Sequence, residues 1–318
     1  MPLLHTRDID PAALHDLVHD LVLEHGAVRL RGLDAGTAGQ AATAAALVAP
    51  RLIEEREGFA PRDRLGGSLY SSAKWPPDQP MCMHHELSYT TAPPRLMIQI
   101  CLRAPSSGGA TALADSRAVL AALPAGLVDR FARTGWCLTR HYNELVGLTW
   151  QEAFGTEDRA LVESYCRAHR IETRWEDDGG LRTRQSRPAI VRHPLTGDPC
   201  WFNQVAFLNG WTMDPEVRDY LLMVFGPGGL PFDTCFGDGE PIGADVVGLI
   251  NETYDRHTVR EPWQDGDVLV IDNILTAHSR EPYEGPREVV VALADPIDQS
   301  GAPTVLPGSA STASRTAR

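Results

Sequence analysis

The chain has 318 residues, 43% of them hydrophobic, and a formal net charge of −13 at pH 7. A chain of this length can bury a substantial core. Its negative charge disfavours nucleic acid and anionic lipid as partners, because both repel a negative surface. No stretch approaches the roughly 20 apolar residues that span a bilayer, and no basic segment followed by an apolar one marks the N-terminus. We therefore expect a cytoplasmic protein without a membrane partner.

The first predicted element is an amphipathic helix of about four turns. Asp10 and Pro11 supply an N-cap and a first-turn proline, and apolar residues then recur at helical spacing until Gly26. His15 and His19 stand four residues apart on this helix, but no carboxylate accompanies them. A solvated helix face is therefore preferred to a metal site.

The later elements are predicted from apolar runs and the turn residues between them. We predict strands over 27–32, 96–102, 190–193, 200–202, 268–271 and 288–293, and helices over 38–48, 116–127 and 149–170. This order indicates an α+β fold with a mainly β core. From residue 298 onwards bulky apolar residues are almost absent, so 298–318 is predicted to be a disordered tail that follows one domain over 1–297.

The six cysteines are dispersed and include no C-x-x-C pair, which fits neither a zinc ribbon nor a compact disulfide framework. They are predicted to be reduced, mostly buried packing groups. The residues concerned are Cys82, Cys101, Cys137, Cys166, Cys200 and Cys235.

A candidate metal site begins at His84-His85-Glu86. In a strand, residues i and i+2 project to the same face, so His84 and Glu86 can share a metal while His85 points away. His278 follows much later, at the end of an apolar run, and Arg287 lies nine residues beyond it. Two imidazoles and one carboxylate are the ligands of non-haem Fe(II) oxygenases, and they leave three coordination positions open. A planar guanidinium matches a carboxylate ligand.

Four segments in this order carry a family resemblance. They are MHHELSY (83–89), GGAT with ADSR (108–117), VRHPLTG leading into WFNQ (191–204), and DN through AHSR to GPR (272–287). The set resembles the Fe(II)/2-oxoglutarate-dependent dioxygenases of the taurine-dioxygenase-like (TauD/TfdA) group, which includes clavaminate-synthase-like enzymes with glutamate in the H-x-E position. The resemblance covers roughly residues 25–297. It implies a double-stranded β-helix, or jelly roll, with flanking helices and insertions.

The resemblance also implies the cofactors and the residues that bind them. His84, Glu86 and His278 would hold Fe(II). Arg287 would form a bidentate salt bridge with the far carboxylate of 2-oxoglutarate, and Thr111 would add a hydroxyl to the same carboxylate. Oxidative decarboxylation of 2-oxoglutarate by O2 would release succinate and CO2 and hydroxylate an unactivated C–H bond.

Two assignments within this scheme have competitors. Arg280 competes with Arg287, but it lies only two residues past the ligand and is interpreted as a structural or rim charge. Relatives often carry asparagine where His85 stands. If His85 were the ligand, Glu86 would face away from the metal, so His84 is preferred.

The substrate is predicted only as a class. The resemblance implies a small polar molecule, such as an amino acid, an amino-acid-derived compound or a phosphonate-type natural-product intermediate, free or tethered to a carrier protein. Tyr89, Asn203 and Arg140 are candidate substrate residues. Because chlorinating relatives replace the metal carboxylate with a small residue, Glu86 predicts hydroxylation, with desaturation and cyclisation as alternatives at the same site.

Two other functional classes stay open at this point. A non-catalytic jelly roll that binds a small ligand would be expected to lose a metal ligand or Arg287, and neither is lost. A zinc hydrolase could use two histidines and a glutamate, but the H-E-x-x-H motif is absent and such an enzyme has no need of Arg287. A homo-oligomer is also open.

Overall fold

The computed structural model describes residues 1–7 and 9–299. Residues 300–318, most of the tail predicted to be disordered, lie outside the described part. The described residues form a mixed α/β protein made mostly of sheets, in agreement with the predicted mainly β core. Among them no helix combines the length and apolar character needed to cross a bilayer.

The helices and strands are named in chain order. The helices are α1 (Pro11–His25), α2 (Ala38–Val48), α3 (Ser116–Ala122), α4 (Ala125–Thr134), α5 (Trp150–Phe154), α6 (Arg159–Ala168), α7 (Pro215–Phe225) and α8 (Ala244–Arg256). The strands are β1 (Leu3–His5), β2 (Ala27–Arg31), β3 (Leu52–Ile53), β4 (Arg64–Gly66), β5 (Leu69–Ser71), β6 (Met81–His84), β7 (Pro94–Arg103), β8 (Ser107–Gly108), β9 (Thr111–Asp115), β10 (Trp136–Tyr142), β11 (Glu172–Trp175), β12 (Leu181–Arg187), β13 (Ile190–Arg192), β14 (Pro199–Trp201), β15 (Phe232–Phe236), β16 (Thr258–Val259), β17 (Val268–Asp272), β18 (Thr276–Arg280), β19 (Tyr283–Glu284) and β20 (Glu288–Pro296).

Three larger sheets contain sixteen of these strands, and two two-stranded sheets, β13-β14 and β19-β8, contain the other four. The large sheet has eight strands in the order β1-β2-β17-β7-β20-β5-β4, with β3 paired to β20. The second sheet has the order β16-β9-β18-β6, and the third has the order β11-β12-β10-β15. Apart from the parallel pair β1–β2, the strand pairs in these sheets are antiparallel.

The central strands of the large sheet are buried on both faces. On β20, Val290 packs with α1 and α2, whereas Val289 and Val291 join the cluster that contains side chains of the second sheet. On β7, Ile98 likewise packs with α1 and α2, whereas Met97 joins the cluster with the second sheet. Successive strand residues point to opposite faces, so a strand covered on both sides has an unbroken apolar sequence. This is why the sequence predicted β7, β17 and β20.

The first helix has the predicted ends. The side chain of Asp10 accepts a hydrogen bond from the N–H of Ala12, and Gly26 closes α1 in the left-handed conformation with φ of 76°. Glycine adopts this conformation without a Cβ clash.

The predicted solvated face of α1 is wrong for its two histidines, which are half-buried. Nδ1 of His15 lies 2.8 Å from the carbonyl oxygen of Val48, and Nη2 of Arg95 lies 3.2 Å from Nε2 of His19. Burial lowers the pKa of His19, with a further contribution from the charge of Arg95. Their positions against α2 and β7 explain the burial. Neither histidine belongs to a metal-ligating group among the described residues.

Two helices predicted as single segments are each divided. The segment 116–127 breaks at Leu123, which is extended with ψ of 146°. The following proline, Pro124, disfavours helical geometry in the residue before it. The segment 149–170 breaks at Gly155, which is left-handed with φ of 66° and ends α5.

Candidate metal centre

Three side chains that can ligate a metal meet where β6 lies beside β18. His84 ends β6 and is the direct strand partner of His278, and their ring centroids are 4.3 Å apart. Oε2 of Glu86 lies 3.7 Å from Nε2 of His278. One ligand atom from each residue lies within 4.8 Å of the other two, and all three residues are buried. Within residues 1–7 and 9–299 this is the one group of its kind.

Asn273, in the turn between β17 and β18, holds the main chain of Glu86. Its Oδ1 accepts a hydrogen bond of 2.7 Å from the N–H of Glu86, and its Nδ2 donates to the carbonyl oxygen of Glu86 at 2.9 Å. The same Nδ2 donates to the carbonyl oxygen of Pro94 at 2.9 Å. One buried amide therefore fixes the carboxylate ligand to the large sheet.

His85 does not join the metal-ligating group. Its Nδ1 lies 2.6 Å from the carbonyl oxygen of Asn273, its Nε2 lies 3.4 Å from Oγ of Ser116, and its ring packs against Phe202. Burial lowers the pKa of His85 to about 4, so the ring is neutral at neutral pH. Both ring nitrogens are thus occupied in the core.

His84 presents Nε2 to the other two ligands. Its Nδ1 lies 2.8 Å from the carbonyl oxygen of Cys82, and donation to that oxygen leaves the lone pair on Nε2. Burial lowers the pKa of His84 to about 3, which favours the neutral ring that metals require. Phe207 stacks on this ring at 4.6 Å, and Phe59 meets it edge-on at 5.7 Å.

The carboxylate of Glu86 has one bound oxygen and one free oxygen. Nη2 of Arg62 donates to Oε2 of Glu86 at 3.0 Å, and Nη1 of Arg62 donates to Glu55 at 3.0 Å. Burial alone would raise the pKa of Glu86, but Arg62 and the hydrogen bond from His278 outweigh it and hold that pKa below its ordinary value. Oε1 of Glu86 is buried without a hydrogen-bond partner among the described residues.

This donor set fits Fe(II). Two imidazoles and one carboxylate converge, and an unpartnered carboxylate oxygen is what a site of this kind presents to a cation. His84, Glu86 and His278 are therefore the residues that would hold the metal.

A cavity of about 420 Å³ adjoins the metal-ligating residues between the large and second sheets. Its wall includes His84 and His278 together with Arg62, Ser72, Ala73, Met81, Met97, Gln99, Thr111, Ser279, Arg280, Arg287, Val289 and Val291. The two residues predicted to bind 2-oxoglutarate, Thr111 and Arg287, thus share one cavity with the metal ligands.

The side chain of Arg287 lines this cavity. Its Nε donates to the carbonyl oxygen of Gly109 at 3.1 Å, while Nη1 and Nη2 have no hydrogen-bond partner among the described residues. Burial lowers the pKa of Arg287 to about 10, so the guanidinium stays protonated at neutral pH. Thr111 donates its hydroxyl to Oε1 of Gln99 at 2.6 Å. Gln99 is not among the site residues that the sequence predicts.

Arg280 also lines the cavity, but its two terminal amino groups donate to the main chain. Nη1 donates to the carbonyl oxygen of Trp75 at 3.1 Å, and Nη2 donates to those of Pro76 and Gln79, each at 2.6 Å. Arg280 therefore fixes the turn before β6.

The three candidate substrate residues lie outside the cavity wall, and their polar groups contact the main chain. The hydroxyl of Tyr89 and Nη1 of Arg140 both donate to the carbonyl oxygen of Glu57, at 2.6 and 2.7 Å. Nδ2 of Asn203 donates to the carbonyl oxygen of Ala189 at 3.0 Å. Tyr89 and Arg140 thereby hold the loop that leads to Phe59 and Arg62.

Comparison with known proteins identifies the class of protein that this fold and site define. A family model described as taurine catabolism dioxygenase TauD, TfdA family, matches residues 2–293. The dapdiamide synthesis protein DdaC of Enterobacter agglomerans is 33% identical over 289 residues, which cover 91% of this chain and 88% of DdaC. A clavaminate synthase-like protein of Arabidopsis thaliana is 30% identical over 284 residues, covering 86% and 82% of the two chains.

A solved structure shows the same fold. The taurine dioxygenase from Burkholderia xenovorans superposes with a TM-score of 0.52 at 16% identity, covering 93% of this chain and 85% of that one. The chain belongs to the TauD/TfdA family of dioxygenases. It is an Fe(II)- and 2-oxoglutarate-dependent enzyme that uses O2, which decides against the non-catalytic and zinc-hydrolase alternatives.

Proposed function

We propose that this enzyme hydroxylates an unactivated C–H bond of a small polar substrate and releases succinate and CO2. The observation that supports this proposal most directly is the single cavity shared by His84, His278, Thr111 and Arg287, beside the unpartnered oxygen of Glu86. A metal, a chelating 2-oxo acid and a substrate need to meet at one such place.

Each residue has a defined part in the proposed reaction. His84, Glu86 and His278 hold the metal, which together with bound 2-oxoglutarate supplies the oxidising power for C–H cleavage. The free amino groups of Arg287 bind the far carboxylate, and Gly109 fixes the orientation of that guanidinium through its carbonyl oxygen. Because Glu86 keeps its carboxylate at the metal, we propose hydroxylation rather than halogenation.

The substrate is proposed by class. The similarity to DdaC, which is named for dapdiamide synthesis, supports a role in natural-product biosynthesis. We propose an amino acid, an amino-acid-derived compound or a phosphonate-type intermediate, free or bound to a carrier protein. We further propose a cytoplasmic enzyme that has neither a nucleic acid nor a membrane partner.

The proposed architecture is a double-stranded β-helix. In this interpretation the large sheet and the second sheet are the two halves of a jelly roll over residues 1–297, and the metal cavity lies between them. The third sheet and helices α5 and α6 belong to the mid-chain insertion of this one catalytic domain.

The metal assignment is tested without any substrate. Fe(II) and 2-oxoglutarate added to the protein under anaerobic conditions should give the weak visible charge-transfer band of the chelate. His278→Ala should abolish the band, because two ligands do not hold the metal in the chelating geometry. An absent band in the wild-type protein, or an undiminished band in the variant, contradicts the assignment.

The cosubstrate assignment is tested with the same band. Arg287→Leu should raise the 2-oxoglutarate concentration at half-saturation about 100-fold, because a buried carboxylate would lose its bidentate partner. Ser279→Ala, which alters the cavity wall without a charge, is the matched control. An unchanged half-saturation for Arg287→Leu would transfer the role to Arg280.

The reaction type is tested by product mass. Small amino acids and phosphono acids are screened for succinate release that depends on the added compound. Hydroxylation adds one oxygen atom to the product, whereas desaturation or cyclisation removes two hydrogen atoms. Product with two fewer hydrogens and no added oxygen would replace hydroxylation by one of these alternatives.

A further inference from the structure

A pair of thiols lies on the third sheet, outside the metal cavity. Cys137 on β10 and Cys235 on β15 are direct strand partners, and both are free cysteines. Their thiol groups lie close enough for each to shift the pKa of the other. Directly opposed residues in an antiparallel pair have Cα atoms about 4.5–5.5 Å apart, within the range of about 4.4–6.8 Å that a disulfide requires.

An arginine and a cavity complete this site. Nε of Arg184, on the neighbouring strand β12, donates to Sγ of Cys137 at 3.1 Å. Cys137 is fully buried, whereas Cys235 is half-buried and lines a cavity of about 1150 Å³. A small reagent in that cavity therefore meets Cys235 first.

Electrostatic interactions shift the pKa of Cys137 in the opposite direction to the pKa of the other cysteines. The hydrogen bond from Cys235, together with Arg184, lowers the pKa of Cys137 to about 6 although burial opposes this shift. Burial raises the pKa of Cys82 to about 11, and it also raises the pKa of the remaining three. The same contact with Cys137 raises the pKa of Cys235, so at neutral pH Cys137 carries the thiolate and Cys235 keeps its proton.

We propose that Cys137 and Cys235 form a peroxide-sensitive dithiol, a modification site separate from the iron site. The proposal stands on the opposed thiols, the Arg184 contact and the cavity at Cys235. The oxidant is hydrogen peroxide.

The proposed reaction has two balanced steps. The Cys137 thiolate accepts the proton of Cys235 as the Cys235 sulfur attacks one peroxide oxygen, the O–O bond breaks, and the departing hydroxide takes a proton from solvent to leave as water. Cys137 then attacks the sulfur of the resulting sulfenic acid, the S–O bond breaks, and a second water leaves as the S–S bond forms. The two thiols lose two electrons and two protons, and peroxide is reduced to two waters.

The dithiol adjoins hydrogen bonds that reach the iron site. Thr234, next to Cys235, donates its hydroxyl to the carbonyl oxygen of Val205 and accepts from Nδ2 of Asn209, each at 2.8 Å. The segment between these two residues carries Phe207, which stacks on His84. Oxidation of this thiol pair would therefore take place next to the hydrogen bonds that hold the segment carrying Phe207. Phe207 in turn packs on the candidate metal ligand His84.

The first test uses the reduced wild-type protein. After brief treatment with hydrogen peroxide and alkylation of the remaining thiols, peptide mass spectrometry should find Cys137 linked to Cys235, in a form that dithiothreitol reverses. Cys82, the other half-buried cysteine, is an internal comparator and should oxidise at least about tenfold more slowly, because burial raises the pKa of its thiol and no neighbouring thiolate among the described residues accepts its proton. Equal oxidation of Cys82, or a Cys235 sulfinic acid without the linkage, overturns the proposal.

Two variants assign the individual roles. Cys137→Ser should accumulate the sulfenic acid of Cys235, which dimedone traps. Arg184→Met should slow disulfide formation about threefold, because less thiolate is present. Arg182→Met is the matched control, since Arg182 lies on the same strand but contacts Glu176 and Gly228. Equal slowing in both arginine variants, or no dimedone adduct, would contradict these roles.

Discussion

Arg62 is the residue outside the metal-ligating group that most directly governs the Glu86 carboxylate. Its side chain is 6% exposed and joins Glu86 to Glu55 through two ion pairs of 3.0 Å. A guanidinium in this position fixes which carboxylate oxygen faces the metal. It also prevents two buried carboxylates from facing each other without a cation.

Replacing Arg62 should weaken metal binding. For Arg62→Met we expect the affinity for Fe(II) to fall about tenfold to 100-fold, because Glu86 loses the contact that orients it. The measurement is anaerobic competition against a chromogenic chelator. Arg64→Met is the control, since Arg64 is exposed and pairs with Glu54. Unchanged or tighter Fe(II) binding by Arg62→Met would contradict the orienting role.

Gln99 and Thr111 act as a pair on the cavity wall. Thr111 donates to Oε1 of Gln99 at 2.6 Å, while the amide nitrogen of Gln99 has only the sulfur of Met97 at 3.7 Å. Sulfur is a weak acceptor, so this amide has donors available for an anionic ligand.

A double-mutant cycle should reveal this pair. We expect Gln99→Leu and Thr111→Val each to raise the half-saturating concentration of 2-oxoglutarate several-fold, and the double variant to do so by less than the product of the two. Contacting residues that share one ligand group are not additive. The readout is the anaerobic charge-transfer titration. Strictly multiplicative effects would show that the two residues act independently.

The sequence predicts the candidate metal ligands better than it predicts the residues that orient those ligands or line the cavity beside them. His84, Glu86 and His278 are predicted from their donor types together with the family resemblance of the segments around them, and the structure brings the three side chains together. The sequence does offer a signal for Gln99, because a lone amide within an apolar strand indicates a polar contact in the interior. Arg62 left none, because it lies in a charged loop and acquires its role only when the fold brings it to Glu86.

At the scale of elements, the turn before β9 controls the arginine of the cosubstrate site. Gly108 and Gly109 have φ of 66° and 70°. A Cβ on Gly109 would lie 2.8 Å from Cγ of Pro105, 2.9 Å from Cβ of Tyr283 and 3.2 Å from Cδ of Arg287. Glycine is therefore required both by conformation and by close approach.

A methyl group at this turn should impair cosubstrate binding. For Gly109→Ala we expect the half-saturating concentration of 2-oxoglutarate to rise about tenfold, because the added group displaces Arg287 and strains the backbone. Gly126→Ala on α4 is the control, since nothing lies within 4 Å of its added Cβ. Equal affinity in the Gly109→Ala variant and the wild-type protein would show that Arg287 tolerates the shift.

The strands that the sequence predicts are buried on both faces, whereas β12, which it does not predict, is buried on one face only. The central strands of the large sheet are covered on both faces and have unbroken apolar sequences. In β12 buried residues alternate with exposed or half-buried Arg182, Arg184 and Ser186. Because its side chains are mostly polar, the sequence of β12 lacks the apolar pattern that predicts a strand. Its pairing with β10 and β11 supplies stability that local propensity does not show.

For the whole molecule, a bound metal would connect distant parts of the chain and thereby stabilise the fold. A ligand that binds only the folded state stabilises it by about 2.7 kcal/mol at 100 times its dissociation constant. For a chain of 318 residues this corresponds to a rise in Tm of about 4 °C. We expect that rise with Mn(II), followed by calorimetry, and none for His278→Ala. A rise of equal size in the variant would place the metal elsewhere.

The direct pairing of His84 with His278 also sets the order in which the site can be made during synthesis. The two residues are 278 − 84 = 194 positions apart. At synthesis rates of about 5–20 residues per second, His84 and Glu86 wait roughly 10–40 s before their partner strand exists. Throughout that interval the nascent chain carries an incomplete set of ligands, so the complete metal site can form only after His278 has been synthesised.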